Sequence, residues 1–190
     1  MGEKTNNMIN EKQTTKKQHV SYNTGNNEWH TPAIYIEAAK KVFGEIDLDP
    51  ASSEDANEII CAKQIYTIHD DGLAQRWQGK VWMNPPYSSK LLKLFCEKLV
   101  THYLFNDVTE AIILVNNATE TQWFNKLIEH ANAVVFHKGR IRFNIQSKPK
   151  GSPLQGQVFI YLGENVEVFL KHFACFGWGV KLKGAQLWKI

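Results

Sequence analysis

The chain has 190 residues, of which 43% are hydrophobic and 22% charged, with a formal net charge of +3. That is the size and balance of one globular domain with its own core, and the charge is too small to name a partner. Three scattered cysteines (Cys61, Cys96, Cys175) without a CxxC pair, and seven histidines without ligand spacing, exclude a disulfide frame or a zinc site. Buried thiols, no bound metal and a cytoplasmic location are the expectation, because no apolar stretch is long enough for a signal peptide or membrane span.

Residues 1–26 are rich in Asn, Lys, Thr and Gln and predict a flexible polar tail, because they cannot bury enough surface to offset ordering entropy. Lys12, Lys16 and Lys17 there could brush nucleic acid, although a passive leader is the preferred reading. Residues 27–190 read as one domain. In "HTPAIYIEAAKKVFG", Thr31 is placed to cap a helix with Pro32 in its first turn, Ile34, Ala38, Val42 and Phe43 recur at helical spacing, and Gly44 ends the run. "EIDLD" predicts a strand, "PASSEDANEII" a helix, "KQIYTI" a strand, "HDDGL" a turn and "GKVWM" a buried strand. "SSKLLKLFCEKLVTHYL" predicts a helix with Leu92, Phe95, Cys96, Leu99 and Tyr103 on one face.

"EAIILV" is a continuous aliphatic run, the pattern of a core strand. The helix after it has Thr119 and Gln122 spaced as a capping box, with Trp123, Leu127, Ile128 and Ala131 facing inward. "AVVF" and "RIRF" read as strands or strand ends, "NIQSKPKGSPLQG" as a loop, "QVFIYL" as a strand, "NVEVFLKHFACF" as a helix and "GVKL" as a last strand. Alternating strands and helices predict an α/β sandwich with a mostly parallel central sheet and helices on both faces.

Charge is unevenly distributed. No Asp or Glu occurs between Glu129 and Glu164, whereas Lys138, Arg140, Arg142, Lys148 and Lys150 all fall there. Arg140 and Arg142 alternate along the presumed "RIRF" strand, so they share a face that could meet phosphates. A solvated basic face is the plain alternative.

The stretch "WMNPPYS", residues 82–88, carries the chemistry. It follows a buried strand, at the sheet edge where open α/β proteins bind ligands. Pro85 and Pro86 stiffen the chain and donate no backbone hydrogen bond, Asn84 adds an acceptor oxygen, and Tyr87 adds a flat ring. Stiff acceptors beside a stacking platform suit a planar group bearing an amine. Two acceptors on the amine hydrogens would localise a lone pair otherwise spread into the ring.

"NPPY" resembles the catalytic motif of amino-group methyltransferases that use S-adenosylmethionine. The ordered run "EWHTP … DLDPAS … YTIHDDGL … VWMNPPYS" resembles more narrowly the small phage-type DNA N-6-adenine methyltransferases. The resemblance implies a compact, trimmed, Rossmann-like class I methyltransferase fold, S-adenosylmethionine as cofactor and DNA as substrate. It implies catalysis by Asn84, Pro85, Pro86 and Tyr87. It places Thr31, Pro32, Asp49, Pro50 and Ala51 at the methionine end of the cofactor, and Asp71, Gly72 and Leu73 beside its adenine. Arg140, Arg142, Lys148 and Lys150 are the candidate DNA contacts. "DLDPASSED" lacks the Gly-rich loop common in this fold, and Asp55 and Asp70 stand as equal candidates for the ribose. RNA adenine or protein glutamine as substrate, and a silent nucleic-acid-binding protein, are the alternatives. The oligomeric state is open, a monomer included.

Overall fold

A computed structural model describes residues 30–143 and 155–182. The expected tail, Lys148 and Lys150 lie outside the described residues. The described elements, in chain order, are α1 (Ala33–Phe43), β1 (Leu48–Asp49), α2 (Glu54–Ile60), β2 (Gln64–Ile65), β3 (Gly79–Met83), α3 (Ser89–Leu104), β4 (Val108–Asn116), α4 (Gln122–His130), β5 (Ala133–His137), β6 (Gln157–Leu162), α5 (Val166–Phe173) and β7 (Gly177–Lys181). One seven-stranded sheet takes the order β2-β1-β3-β4-β6-β5-β7.

β4 is the spine. Ala111, Ile113 and Val115 face one side of the sheet and pack with α3 and α4; Ile112 and Leu114 face the other and pack with α1 and α5. Period-2 alternation puts every apolar residue of a continuous run into one of two cores, which is why "AIILV" has no exposed face. Trp82 separates from its neighbours Val81 and Met83 in the same way. The helices therefore cover both faces, as the sequence predicts.

The expected mostly parallel sheet is only partly present. β2-β1, β1-β3 and β3-β4 are parallel, but β4-β6, β6-β5 and β5-β7 are antiparallel. The cause is the connection after β5: the chain returns to the gap beside β4 as β6, running the opposite way. β1 and β2 each shrink to two residues.

Other local expectations shift for specific reasons. Pro32, not Thr31, is the N-cap of α1, and no side chain caps that helix. Ile34 then falls on the solvent side, while Tyr35, Ile36 and Ala39 join the buried face. Gly44 ends α1 as expected, at φ +80°. Thr121, not Thr119, caps α4 by accepting from the Phe124 amide at 3.4 Å. "RIRF" is no strand, because β7 rather than this segment takes the place beside β5. Of the cysteines expected inside, only Cys96 is buried; Cys61 ends α2 and Cys175 sits in the turn after α5, both exposed. No helix among the described residues is long and apolar enough to cross a membrane.

Candidate active site at the carboxyl edge of the sheet

β1, β3 and β4 are parallel, so their carboxyl ends share one edge. β1 ends at Asp49 and β3 at Met83, which sets the turn beginning at Pro50 beside the turn beginning at Asn84. Between the 50–56 and 66–73 segments, Pro86 and the first turns of α3 lies a cleft of about 550 Å³, within the range of small-molecule sites.

The floor of this cleft is built without glycine. Asp49 accepts from the Ala51 amide at 3.2 Å, folding the chain back over its own carboxylate. Ser53 then caps α2 by accepting from the Ala56 amide at 3.2 Å. Asp49 itself is only 2% exposed and lies beneath Pro50–Ser53, which line the cleft. Burial pushes its carboxyl up to about 7, against the weaker pull of the Ala51 amide and the Ser52 hydroxyl.

The opposite wall is the 66–73 turn. Asp70 accepts from the Thr67 amide at 2.8 Å and from its hydroxyl at 2.7 Å, bonds that hold its carboxyl below the usual range. Asp71 stands at φ +50° with its carboxylate accepting from the Leu73 amide at 3.2 Å. Asp71, Gly72 and Leu73 all line the cleft, as does Asp55; Asp70 is turned into its own loop. Buried Trp77 donates its indole N–H to the Gly72 carbonyl at 2.7 Å. A Cβ on Gly72 would stand 2.2 Å from the Pro50 carbonyl oxygen, so the two walls touch here. Gly72→Ala is expected to cost about 1–3 kcal/mol, the scale of overpacking, read as a lowered midpoint in thermal or denaturant unfolding. An unchanged midpoint would mean that the walls yield freely.

The acceptor turn is fixed from three sides. Pro85 is buried, and Pro86 faces the cleft. The Asn84 amide nitrogen donates to the Thr31 hydroxyl at 3.3 Å. Thr31 is 5% exposed and, relieved of capping duty by Pro32, spends its oxygen on this bond. The Tyr87 hydroxyl donates to the Leu114 carbonyl at 3.4 Å, and burial raises its ionisation well above the usual range. Its ring meets Phe143 edge-on, centroids 6.4 Å apart.

That contact brings in the basic segment. Ile141 and Phe143 are buried, which leaves Arg140 and Arg142 exposed on the outside of an irregular stretch. Buried Gln157 anchors it: its oxygen accepts from the Ile141 amide at 3.1 Å, while its amide donates to Asn116 at 3.3 Å. The side-chain alternation expected of a strand thus survives without one.

A family profile described as DNA N-6-adenine-methyltransferase (Dam) matches residues 17–162. The chain belongs to the DNA N-6-adenine-methyltransferase family. A family relative from Escherichia phage T1 is 29% identical over 111 residues, covering 57% of this chain and 43% of that protein. Another, from Haemophilus phage HP1, is 29% identical over 110 residues, covering 57% of this chain and 60% of that protein. The chain spans about half the length of these curated relatives. A Pyrococcus horikoshii protein, thought to be an RNA methyltransferase, overlaps with a TM-score of 0.45 at 14% identity over 72% of this chain and 87% of that one. That overlap is too loose to bear on fold or function. The family match takes in the cleft, the acceptor turn and β6, and stops before α5 and β7.

Sequence reasoning missed several lining residues. His30, Ser52, Ser53 and Glu54 line the cleft, as do Thr67, Ile68, Leu91 and Phe95. A helix that starts directly after a carboxyl-edge turn must present its first two turns to the site, and that was the available signal for Leu91 and Phe95. The Phe143 contact with Tyr87 had none, because it joins residues far apart in the chain.

Proposed function

We propose that the protein transfers a methyl group from S-adenosylmethionine to the exocyclic amino group of adenine in DNA, in the cytoplasm of a bacterial or phage-infected cell. The observation that carries this reading is adjacency: Pro86 belongs both to the stiff acceptor turn and to the wall of a cleft that is lined by the turn following buried Asp49.

The residues present fit the cofactor. A buried carboxylate in apolar surroundings is stabilised by a cation, and the cleft rim adds Glu54, Asp55 and Asp71. Thr31, Pro32, Asp49, Pro50 and Ala51 then form the methionine end of the site, with Asp49 acting from beneath through the Ser52 hydroxyl or water. Asp71, Gly72 and Leu73 flank the adenine. Asp55, which lines the cleft where Asp70 does not, is the carboxylate for the ribose. When bound, S-adenosylmethionine supplies a methyl group on a sulfonium, an electrophile strong enough for a weak amine.

The chain's own residues do the rest. The Asn84 side-chain oxygen and the Pro85 carbonyl accept the two amine hydrogens and localise the lone pair. Neither is basic enough to keep the proton the nitrogen sheds, which passes to solvent at the open edge. Tyr87 offers its ring to the base and is held by Leu114 and Phe143. A duplex adenine must be turned out of the stack to arrive there, at a cost of about a few kcal/mol. Arg140 and Arg142, with Lys148 and Lys150 outside the described residues, offset that cost at the phosphates.

Thr31 has a second duty in this site. The two ends of a primary amide are nearly isosteric, so a bond at the nitrogen decides which end faces the substrate. A turned amide would set its NH₂ against an amine, donor against donor. Thr31→Val, which keeps the shape and removes the hydroxyl, is expected to lower kcat about tenfold or more, with Thr31→Ser near wild type. A valine variant with normal kcat would show that Asn84 is oriented by other contacts.

The function itself is tested by incubating protein and methyl-labelled cofactor with DNA, RNA and protein extract, followed by mass spectrometry of the digests. N6-methyladenine in DNA is expected, and single-molecule sequencing of DNA from expressing cells would give its context. Label confined to RNA or to protein glutamine, or no transfer at all, overturns the reading.

A further inference from the structure

The carboxyl edge of the sheet is electrically divided. Over β1 and β2 it carries Glu54, Asp55 and Asp71 around the cleft. Over β5 and β7 the sign reverses. Lys138, Arg140 and Arg142 follow β5, and Lys171 and His172 occupy the last turn of α5, which ends at the same corner. No Asp or Glu occurs in 130–163 or in 168–182. Glu167, at the far end of α5, is taken up by Lys181 at 2.7 Å.

An exposed apolar strip runs through this cationic corner. β7 starts at Gly177 opposite His137, and the Lys138 amide donates to the Phe176 carbonyl at 2.8 Å, tying the basic segment to the strand. Trp178 is 78% exposed and Val180 42%. Their strand partners, Phe136 and Val134, belong to the α3–α4 side of the sheet, so Trp178 and Val180 face that side too. α5 packs on the opposite side, where a Cβ on Gly179 would already press within 2.8 Å of Leu170. An indole left in solvent on the edge strand, two residues past the Phe176 carbonyl that holds Lys138, suits a partner that is both anionic and able to take an aromatic ring.

We propose that the corner formed by β7, the end of α5 and residues 138–142 is a docking surface for duplex DNA, with Trp178 as its apolar anchor. The proposal rests on DNA being the substrate and goes beyond it, since α5 and β7 lie outside the span that marks the family. Phosphates meet Lys138 and Arg140, with the indole against the sugar and base edges beside them, and Lys171 meets the backbone from the α5 side of the strand. A second copy of the chain is the poorer occupant: a corner-to-corner contact would bring two acid-free, cationic surfaces together. β7 is four strand spacings from β3, about 19 Å at ~4.8 Å each. That is roughly five or six base-pair steps of ~3.4 Å. The duplex therefore extends from the acceptor turn toward β7, away from the acidic cleft, and the protein covers one flank of its target.

The test uses the full chain, a fluorescein-labelled duplex of mixed sequence in an anisotropy titration with S-adenosylhomocysteine present, and calorimetry for S-adenosylhomocysteine itself. Trp178→Ala is expected to weaken duplex binding about tenfold and to leave the calorimetric affinity unchanged. Lys138→Glu with Arg140→Glu is expected to weaken it further and flatten the salt dependence. Lys41→Glu, at the other end of the molecule in the last turn of α1, should match wild type. Being on the surface, none of these changes touches the core. If Trp178→Ala binds duplex as wild type does, the corner is not a DNA surface, while the methylation reading stands on its own assay. The corner proposal is equally overturned if sedimentation shows a wild-type dimer that Trp178→Ala dissociates. A wild-type protein that neither binds nor methylates DNA removes both readings.

Discussion

Asn84→Ala is expected to lower methyl transfer to DNA by about 100- to 1,000-fold while leaving S-adenosylmethionine affinity near wild type. The magnitude is that of deleting one preorganised hydrogen-bonding group from an electrostatic site. The selectivity follows from position: among the turn's residues it is Pro86, not Asn84, that lines the cleft. The loss should fall on kcat, because the two acceptors act most strongly as the nitrogen turns tetrahedral. Single-turnover rates and calorimetry on the same preparation read both quantities. An alanine variant that turns over normally would remove this chemistry, and one that loses cofactor affinity as well would relocate Asn84 into the cofactor site.

Asp49 is expected to make cofactor binding pH-dependent across neutrality. Its carboxyl is raised from 3.8 to about 7 by burial. A raised acid contributes stability that is complete below its unfolded value and lost as pH rises through the folded one. The ligand-free protein should therefore lose up to about 4 kcal/mol from this group between pH 4 and pH 8. A cationic ligand reverses the preference, because it favours the carboxylate. Below pH 7 binding must expel a proton, so the dissociation constant should rise about tenfold per unit toward pH 5 and level off above pH 8. Asp49→Asn should abolish that slope, weaken binding at pH 8, and stabilise the ligand-free fold there. Calorimetry in two buffers of different ionisation enthalpy gives the proton count directly. A flat profile from pH 5.5 to pH 8, with no proton released, would mean that Asp49 is a structural residue under the cleft and no more.

The elements legible in the sequence were those fixed by a local pattern. "GKVWM" and "QVFIYL" are β3 and β6 residue for residue, because apolar runs of that length with both faces covered have few alternatives. Strand direction was not legible. Nothing in "QVFIYL" says that it slots between β4 and β5, since that depends on which long-range pairing closes best. Cap assignments slipped by one or two residues where several candidates stood together, as at Thr119 and Thr121 or Thr31 and Pro32. The Thr31 slip matters most, because a hydroxyl expected at a helix end turns up on the Asn84 amide.

The site was legible as separate motifs but not as an arrangement. Asp71, Gly72 and Leu73 could be picked from "DDGL", yet the contact of Gly72 with the Pro50 carbonyl joins two segments more than 20 residues apart. Asp55 and Asp70 were indistinguishable in the chain and separate only in the folded cleft, which Asp55 lines and Asp70 does not. The basic segment was visible as charge, but its route past Tyr87 depends on the buried ring of Phe143 and the amide of Gln157.

The account stands or falls on cofactor and acceptor turn sharing one cleft. A crystal structure with S-adenosylhomocysteine measures this directly. The expected result puts its sulfur against Pro86 next to the Asn84 amide, its ammonium over Asp49 and its adenine along Asp71–Leu73. A sulfur atom bound elsewhere on the sheet, with the turn walled off from it, would contradict the account.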